Sequence, residues 1–288
     1  MATVEAEATR TETVPLITSK TVIRAVEALV GAIVFVVLIQ YVLRFSLFDP
    51  DLWSGATLRQ ANYWPRFVDG TKTSLFYISL TLPISVAIGF FLGWARVARF
   101  KAFSWPVAVY VDFFRGVPPL VIIIFASLLG PKLLPPRFIT PDTPLLMGAL
   151  ALAMHSGAYQ AEIFRAGFQS VSRGQLEAAQ ALGMRPGQAM QSVVLPQALR
   201  LSLPPLGNEF AVLIKDTSLL YVIGAFDLFG WSLLTGQTIA IDVGRLELLF
   251  TMWTSVALVY FVLTFAVTRV MLLVERRFHA RGLEALSI

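Results

Sequence analysis

Six long apolar runs constrain this chain more than any other feature: Val22–Leu43, Ser74–Val97, Val107–Leu129, Leu145–Phe164, Leu201–Ile223 and Leu246–Val274. Each is close to the about 20 helical residues needed to cross a hydrocarbon core about 30 Å thick. Inside lipid a backbone must satisfy its own hydrogen bonds, so only helices or a closed barrel can span. Barrel strands would alternate apolar and polar residues over stretches of about ten. These runs do not alternate, and the whole chain is 56% hydrophobic and only 14% charged over 288 residues. That composition excludes an ordinary soluble domain. The expected fold class is an all-α polytopic membrane protein with about six transmembrane helices.

Zero cysteines exclude disulfides, thiolate metal sites and cysteine nucleophiles. The two histidines, His155 and His279, are too few and too distant to suggest a metal site. No small-residue cleavage site follows the first apolar run, which therefore reads as an anchor and not as a removed signal peptide. The net charge of +5 does not point to nucleic acid, because the basic residues are scattered through the loops. Topology accounts for them better. With the polar hairpin after the fourth run in the cytoplasm, Arg96, Arg99, Arg165, Arg173, Arg276 and Arg277 join an inside set. That set is about twice as rich in Lys and Arg as the outside set, which includes Arg44, Arg59, Arg66 and Arg245. Both termini are then expected in the cytoplasm.

Several runs carry interruptions. Gly89 and Gly93 form a G-x-x-x-G that lets another helix approach closely, and Pro83 in the same run predicts a kink. The third run is broken at Gly116-Val117-Pro118-Pro119, where two prolines remove consecutive donors; it reads as a gate or cavity wall, or as a helix that begins at Pro118. Trp53, Tyr63 and Trp64 between the first two runs read equally as a headgroup anchor or as loop packing.

The polar segment 172–196 has the grammar of a helical hairpin. Ser172 and Gln175 are spaced as a capping box, and Gly183 stands where a glycine would end a helix over Arg173–Leu182. Ala178, Ala179 and Ala181 give that helix thin walls, Leu176 and Leu182 supply apolar contact, and Glu177 is the hairpin's one carboxylate. Pro186 suits the first turn of a second short helix, which Leu195-Pro196 is expected to end. The reading is a surface for a soluble partner. A generic amphipathic surface helix is the alternative, but it would carry more Lys, Arg and bulky anchors.

Glu177-Ala178-Ala179, Gly183 and Leu195-Pro196 resemble the EAA loop of ABC importer permeases. Ser156–Arg165, Leu195–Arg200, Pro204–Phe210 and Lys215–Leu219 extend the resemblance to the permease subunit of polar amino acid uptake ABC transporters (histidine/glutamine/arginine type). The tight match covers about Ser156–Gly224, with a looser one from about Gly70 to Arg277. Two departures stand out. Arg115-Gly116-Val117-Pro118-Pro119 replaces the family's usual R-G-T-P-L, and Val22–Leu43 precedes what is usually a five-helix core.

The apolar runs and charge distribution predict a cytoplasmic tail over 1–21, an extra helix over 22–43, an external segment over 44–73 and a tail over 278–288, and the resemblance places a permease domain over 74–277 with its coupling loop at 172–196. It also implies a non-catalytic subunit of the bacterial cytoplasmic membrane. The expected partners are two copies of an ABC ATPase that uses ATP and Mg, a second permease subunit (identical or paralogous), and an extracytoplasmic binding protein that supplies a polar amino acid. The coupling residues would be Ser172, Gln175, Leu176, Glu177, Ala178, Ala179, Leu182, Gly183 and Pro196.

The fifth run holds Asn208, Glu209, Lys215 and Asp216. Residues seven apart share a helical face, so Glu209 and Asp216 form an acidic stripe beside a polar one of Asn208 and Lys215. With Arg115 these are the candidate substrate contacts, since ionisable groups inside a membrane helix read as functional. The alternative is pairing with other helices. Glu162 and Arg165, three apart, read as a structural pair, and His155 as a packed, hydrogen-bonded residue. The chain has no G-x-x-x-x-G-K-[ST], no H-E-x-x-H and no G-x-S-x-G. An ion-coupled secondary transporter is the rival reading, but it would usually show related halves.

Overall fold

The computed structural model describes residues 19–43, 46–54, 62–97 and 101–278. His279 and most of both predicted tails lie outside the described residues. The first apolar run folds as helix α1, Ser19–Leu43, in a unit of its own. Its described side chains, including Leu29, Ile33, Phe35 and Leu38, are exposed along their length, as suits a helix apolar all round.

The second unit holds ten helices among the described residues. They are α2 (Pro50–Ser54), α3 (Tyr63–Arg96), α4 (Lys101–Gly116), α5 (Pro119–Leu129), α6 (Thr143–Ser170), α7 (Arg173–Ala181), α8 (Pro186–Ala189), α9 (Leu195–Asp216), α10 (Leu228–Thr238) and α11 (Glu247–Phe278). By length and composition α3 and α11 can each cross a bilayer. Two bent pairs can do so as broken spans: α4 with α5, bent by 108°, and the α9 segment with α10, bent by 54°. The described residues therefore support four of the six predicted crossings by these criteria. α1 contributes a short apolar stretch, Leu29–Leu38, and α6 is long enough but not apolar enough.

The reason lies in the position of α6. It packs against α3, α4, α5 and α9, so protein and not lipid surrounds much of it. Ser156, Gln160 and His155 are all buried on it. A helix sheathed by other helices does not need an apolar surface; it needs small residues that let its neighbours close in. α3 supplies the matching face. Tyr77, Thr81, Ser85, Gly89 and Gly93 recur every four residues and are buried, while Gly70 and Ser74, further along the same stripe, meet Asp227 and Leu228. A Cβ on Gly89 would stand 2.5 Å from Cβ of Gln160, and one on Gly93 would stand 2.7 Å from the Ala161 carbonyl. The G-x-x-x-G thus joins two helices of the same chain. α3 continues through Pro83 without interruption and begins at Tyr63, well before the predicted Ser74.

That early turn of α3 is polar in sequence yet packed. Tyr63 and Leu52 are fully buried with Ile239, Leu248 and Met252, and Trp53 and Phe67 lie against them. Loop packing therefore explains Trp53 and Tyr63, while Trp64 is 56% exposed. Arg245 clamps this end, binding Asp49 at 3.1 Å, Glu247 at 2.7 Å and Asp51 as well.

The break at Gly116–Pro119 is real. α4 ends at Gly116, Pro118 is extended at ψ 136°, and α5 starts with Pro119 in its first turn. The fifth run is also interrupted, which its sequence did not suggest. After Asp216 the chain tightens to a 3-10 helix over Thr217–Ile223, turns at Gly224 (φ 90°), and resumes as α10. Asp227 caps α10, accepting from the Gly230 N–H at 2.8 Å and the Tyr260 hydroxyl at 3.1 Å.

The glycine seam generates a test. Gly89→Val forces the α3–α6 contact apart and should cost about 3 kcal/mol or more, as severe overpacking does. Gly174→Ala, with nothing within 4 Å of the new Cβ, should shift stability by no more than about 1 kcal/mol. Thermal unfolding of the detergent-solubilised protein, followed by size-exclusion chromatography, measures both.

Candidate functional site

Two features carry chemistry, and α6 and α9 connect them. The first is the polar hairpin. Helix α7 spans Arg173–Ala181, within a residue of expectation. Its end is a Schellman motif: the Met184 N–H donates to the Ala179 carbonyl at 3.1 Å and the Gly183 N–H to that of Gln180 at 2.9 Å. Gly183 adopts φ +83°, the left-handed conformation that glycine reaches without a Cβ penalty. The start differs from expectation. Ser172 occupies the N-cap position, but its side chain makes no capping bond; the Gln175 N–H donates to the Ser172 carbonyl at 3.1 Å. Side chains at both positions are exposed, so water can satisfy these ends.

The faces of α7 divide cleanly. Ala179 is buried and Leu176 packs into a cluster with Phe164, Phe168, Val194 and Ala198, so these two seat the helix on its own protein. Gln175, Glu177, Ala178, Leu182 and Gly183 are exposed. Leu182 is 82% exposed, an unusual position for a leucine. Glu177 pairs with no other charge among the described residues.

Pro186 opens α8 as predicted, with the Gln188 side chain accepting from the Arg185 N–H at 3.0 Å. Leu195-Pro196 does not end that helix. A π-helical turn, Met190–Val194, leads directly into α9, whose first turn holds Pro196. The second arm of the hairpin, α8, and α9 are therefore one continuous element.

The second feature is a cavity of about 430 Å³ between α4, α6 and α9. Arg115, Tyr159, Glu162, Arg165, Leu201, Pro205 and Glu209 are among its walls. The structure brings Arg115 and Glu209 together here, but Asn208, Lys215 and Asp216 do not line it. The two-member acidic stripe is thus divided. Residues seven apart share a face but stand about 10 Å apart along the axis, and the cavity ends at the level of Glu209.

Glu209 is held by α6: the Ser156 hydroxyl donates to its Oε1 at 2.8 Å. Gln160 lies behind Ser156 and donates through Nε2 to Ser85 at 2.8 Å and to Ser156 at 3.1 Å. This chain of three helices leaves the other Glu209 oxygen available to the cavity. Arg115 forms no ion pair among the described residues. Its guanidinium lies over the Tyr159 ring, 5.3 Å from the centroid, and the Tyr159 hydroxyl donates to the Arg115 carbonyl at 3.3 Å.

Glu162 pairs with Arg165 at 2.7 Å, as its spacing suggested, and also with Arg96 of α3 at 2.8 Å. His155 is buried beside Tyr159, with its Nδ1 unpartnered. Ser156, Tyr159 and Gln160 were not singled out as site residues from sequence, although their polar spacing within a small-residue helix was a usable signal.

A polar helical hairpin beside a charged, helix-lined cavity belongs to a known class. Residues 85–280 match the family described as binding-protein-dependent transport system inner membrane component. The chain belongs to that family: it is the multi-pass permease subunit of an ABC importer, a transport component. It is 36% identical over 199 residues to a probable glutamine ABC transporter permease protein of Bacillus subtilis (strain 168), covering 69% of this chain and 86% of the relative. It is 32% identical over 216 residues to a glutamate/aspartate import permease protein of Escherichia coli O157:H7, covering 74% and 93%. Among solved structures, an amino acid ABC transporter crystallised with histidines superposes at TM-score 0.62 with 34% identity, covering 75% of this chain and 95% of that one. An inward-facing methionine ABC transporter, 16% identical with TM-score 0.59, shares the fold over 74% of this chain and 96% of its own.

The cavity geometry separates two carboxylates that the sequence grouped together. In the reconstituted importer, Glu209→Gln should lower the uptake rate by about tenfold or more, as loss of a charged contact does. Asp216→Asn should stay within about twofold. Radiolabelled uptake into proteoliposomes, normalised to assembled complex, measures the difference.

Proposed function

We propose that this subunit carries a polar amino acid across the bacterial cytoplasmic membrane by alternating access. Its energy comes from a separate ATPase, present in two copies, which alone uses ATP and Mg. A second permease subunit, identical or paralogous, completes the pathway. An extracytoplasmic binding protein delivers the solute, and both termini of this chain face the cytoplasm.

The observation that carries this reading is the division of α7. Leu176 and Ala179 fasten the helix to the core around Phe164 and Phe168, while Leu182, Gly183, Ala178 and Glu177 are presented outward. A helix fixed on one face and offering an apolar tip on the other can be gripped and pushed. From α7 the push passes through Leu176, packed on the cluster that holds Val194, and from there the π-helical turn runs directly into α9, which carries Glu209. A π-turn inside a helix is frequently found at functional sites. The relatives named as amino acid permeases support the solute class.

At the cavity, an amino acid presents an ammonium and a carboxylate. Glu209, held by Ser156, suits the ammonium, and the unpaired Arg115 over Tyr159 suits the carboxylate. Asn208, Lys215 and Asp216 are left for the pathway beyond the cavity or for contact with the second permease subunit.

Gly183→Asp tests the coupling role. Nothing lies within 4 Å of the Cβ position, and aspartate is one of the few residues that visit the left-handed region, at a local cost of about 1–2 kcal/mol, so the membrane fold should persist while a carboxylate enters the gripped surface. Co-purification with the ATPase should fall at least about tenfold, since one buried unpaired charge costs several kcal/mol. Retained binding with transport-coupled ATP hydrolysis would contradict the assignment.

A further inference from the structure

The double proline after α4 strips two carbonyls of their helical partners. In an α-helix each carbonyl accepts from the N–H four residues further on. For Phe114 and Arg115 those residues are Pro118 and Pro119, which have no N–H to give. The last backbone donor before the break, the Val117 N–H, goes to the Phe113 carbonyl at 3.1 Å. Pro119 stands where the family usually has leucine, so the loss at Arg115 follows from a departure particular to this chain. Carbonyls freed at membrane depth need partners from protein or from water in a cavity.

Two side chains of α6 reach these two carbonyls. The Tyr159 hydroxyl donates to the Arg115 carbonyl at 3.3 Å, and the His155 ring is hydrogen-bonded to the Phe114 backbone. His155 and Tyr159 are one helical turn apart, with ring centroids separated by 5.2 Å. Neighbours on one face of α6 thus serve consecutive residues on the last turn of α4. Tyr159 also meets Arg115 at its other end, since the guanidinium lies 5.3 Å from the centre of its ring. The body of α4 is fixed separately. Val111 packs with Ala158 and Ala161, and the Tyr110 hydroxyl donates to the Met154 carbonyl at 3.0 Å. What His155 and Tyr159 govern is the final turn, which carries Arg115 to the cavity.

We propose that His155 and Tyr159 are positioning residues for Arg115: they replace the two backbone hydrogen bonds that Pro118 and Pro119 delete, and so fix the guanidinium across the break. This rests on Arg115 being the contact for the solute carboxylate. Removing either donor loosens the last turn of α4 and slows transport, although no charge in the cavity has changed.

The chain has no cysteine, so Gly116→Cys creates a single labelling site at the break, and nothing lies within 4 Å of its Cβ position. A nitroxide attached there before assembly with the ATPase and binding protein reports the mobility of the α4 end by electron paramagnetic resonance. Uptake of radiolabelled protein amino acids, supplied singly to proteoliposomes of the unlabelled complex, reports function. Tyr159→Phe keeps the ring beneath the guanidinium and removes only the donor. His155→Leu removes the other donor, and His155→Gln keeps an N–H in its place.

Tyr159→Phe and His155→Leu should each sharpen the nitroxide spectrum and lower uptake about fivefold, the size expected for one lost hydrogen bond. His155→Gln should keep at least about half of the uptake. In an Arg115→Gln background the two damaging substitutions should lower uptake by less than about twofold further, because they act through a residue already lost; independent effects would multiply. A spectrum that neither Tyr159→Phe nor His155→Leu changes overturns the proposal, as do losses that multiply in full with Arg115→Gln. A sharpened spectrum together with wild-type uptake in Arg115→Gln upholds the hold on α4 and removes Arg115 from the solute, so that failure falls on the assignment of the carboxylate contact alone.

Discussion

The close approach of α3 and α6 underlies the rest of the structure. Between helices in lipid there is little hydrophobic driving force, so association depends on van der Waals contact and interhelical hydrogen bonds. A single such hydrogen bond, like that from Gln160 to Ser85 at 2.8 Å, contributes about 0.6 kcal/mol on average. Each well-placed atom pair contributes only about 0.1–0.2 kcal/mol, but a seam running from Ser85 to Gly93 against Gly157 to Phe164 contains dozens of them. Packing therefore outweighs hydrogen bonding in holding the pair together, and the hydrogen bonds set its register. Because α6 is held so closely, it can carry Ser156, Tyr159, Glu162 and Arg165 without exposing them to lipid.

From this axis the two functional features follow. The end of α6 leads into α7, and Phe164 and Phe168 of α6 form the seat into which Leu176 of α7 fits. After the turn at Gly183 the second arm of the hairpin runs into α9, which packs back on α6: the Gly167 backbone faces Ser202 and Ala198, and Glu209 meets Ser156. Force applied at α7 thus has a short path through packed side chains and continuous helix to the charged cavity. The same architecture explains why the cavity has charged walls on α6 and α9 together with Arg115 at the broken end of α4. The Pro118–Pro119 break turns the chain by 108° and leaves Arg115 on the last turn before it.

Much of this was legible in the sequence where local chemistry decides structure. The apolar runs became helices, consecutive prolines broke the third, and Gly183 ended α7 in the left-handed conformation its position demanded. What sequence obscured depended on partners distant along the chain. The start of α3 at Tyr63 relies on Leu52, Ile239 and Met252, so its polar first turns read as loop. Ser172 has the capping spacing but does not bond, because an exposed helix end can use water. Pro196 signalled a stop by type, yet the helical path runs on through the π turn just before it into α9. The division of Glu209 from Asp216 was invisible because helical spacing assigns a face but not the depth at which a cavity closes. Asp227 lay beyond the apolar run; only the turn at Gly224 and the neighbouring Ser74 and Tyr260 reveal it as a buried cap.

We propose that this chain is a passive conduit driven through its hairpin by a nucleotide-hydrolysing companion. The most direct measurement is solute accumulation in sealed vesicles containing the purified chain, with and without its ATPase and binding protein. Uphill accumulation should appear only with both companions, ATP and Mg present. If the chain alone concentrates an amino acid on a proton or sodium gradient, it is an ion-coupled transporter and the account is wrong.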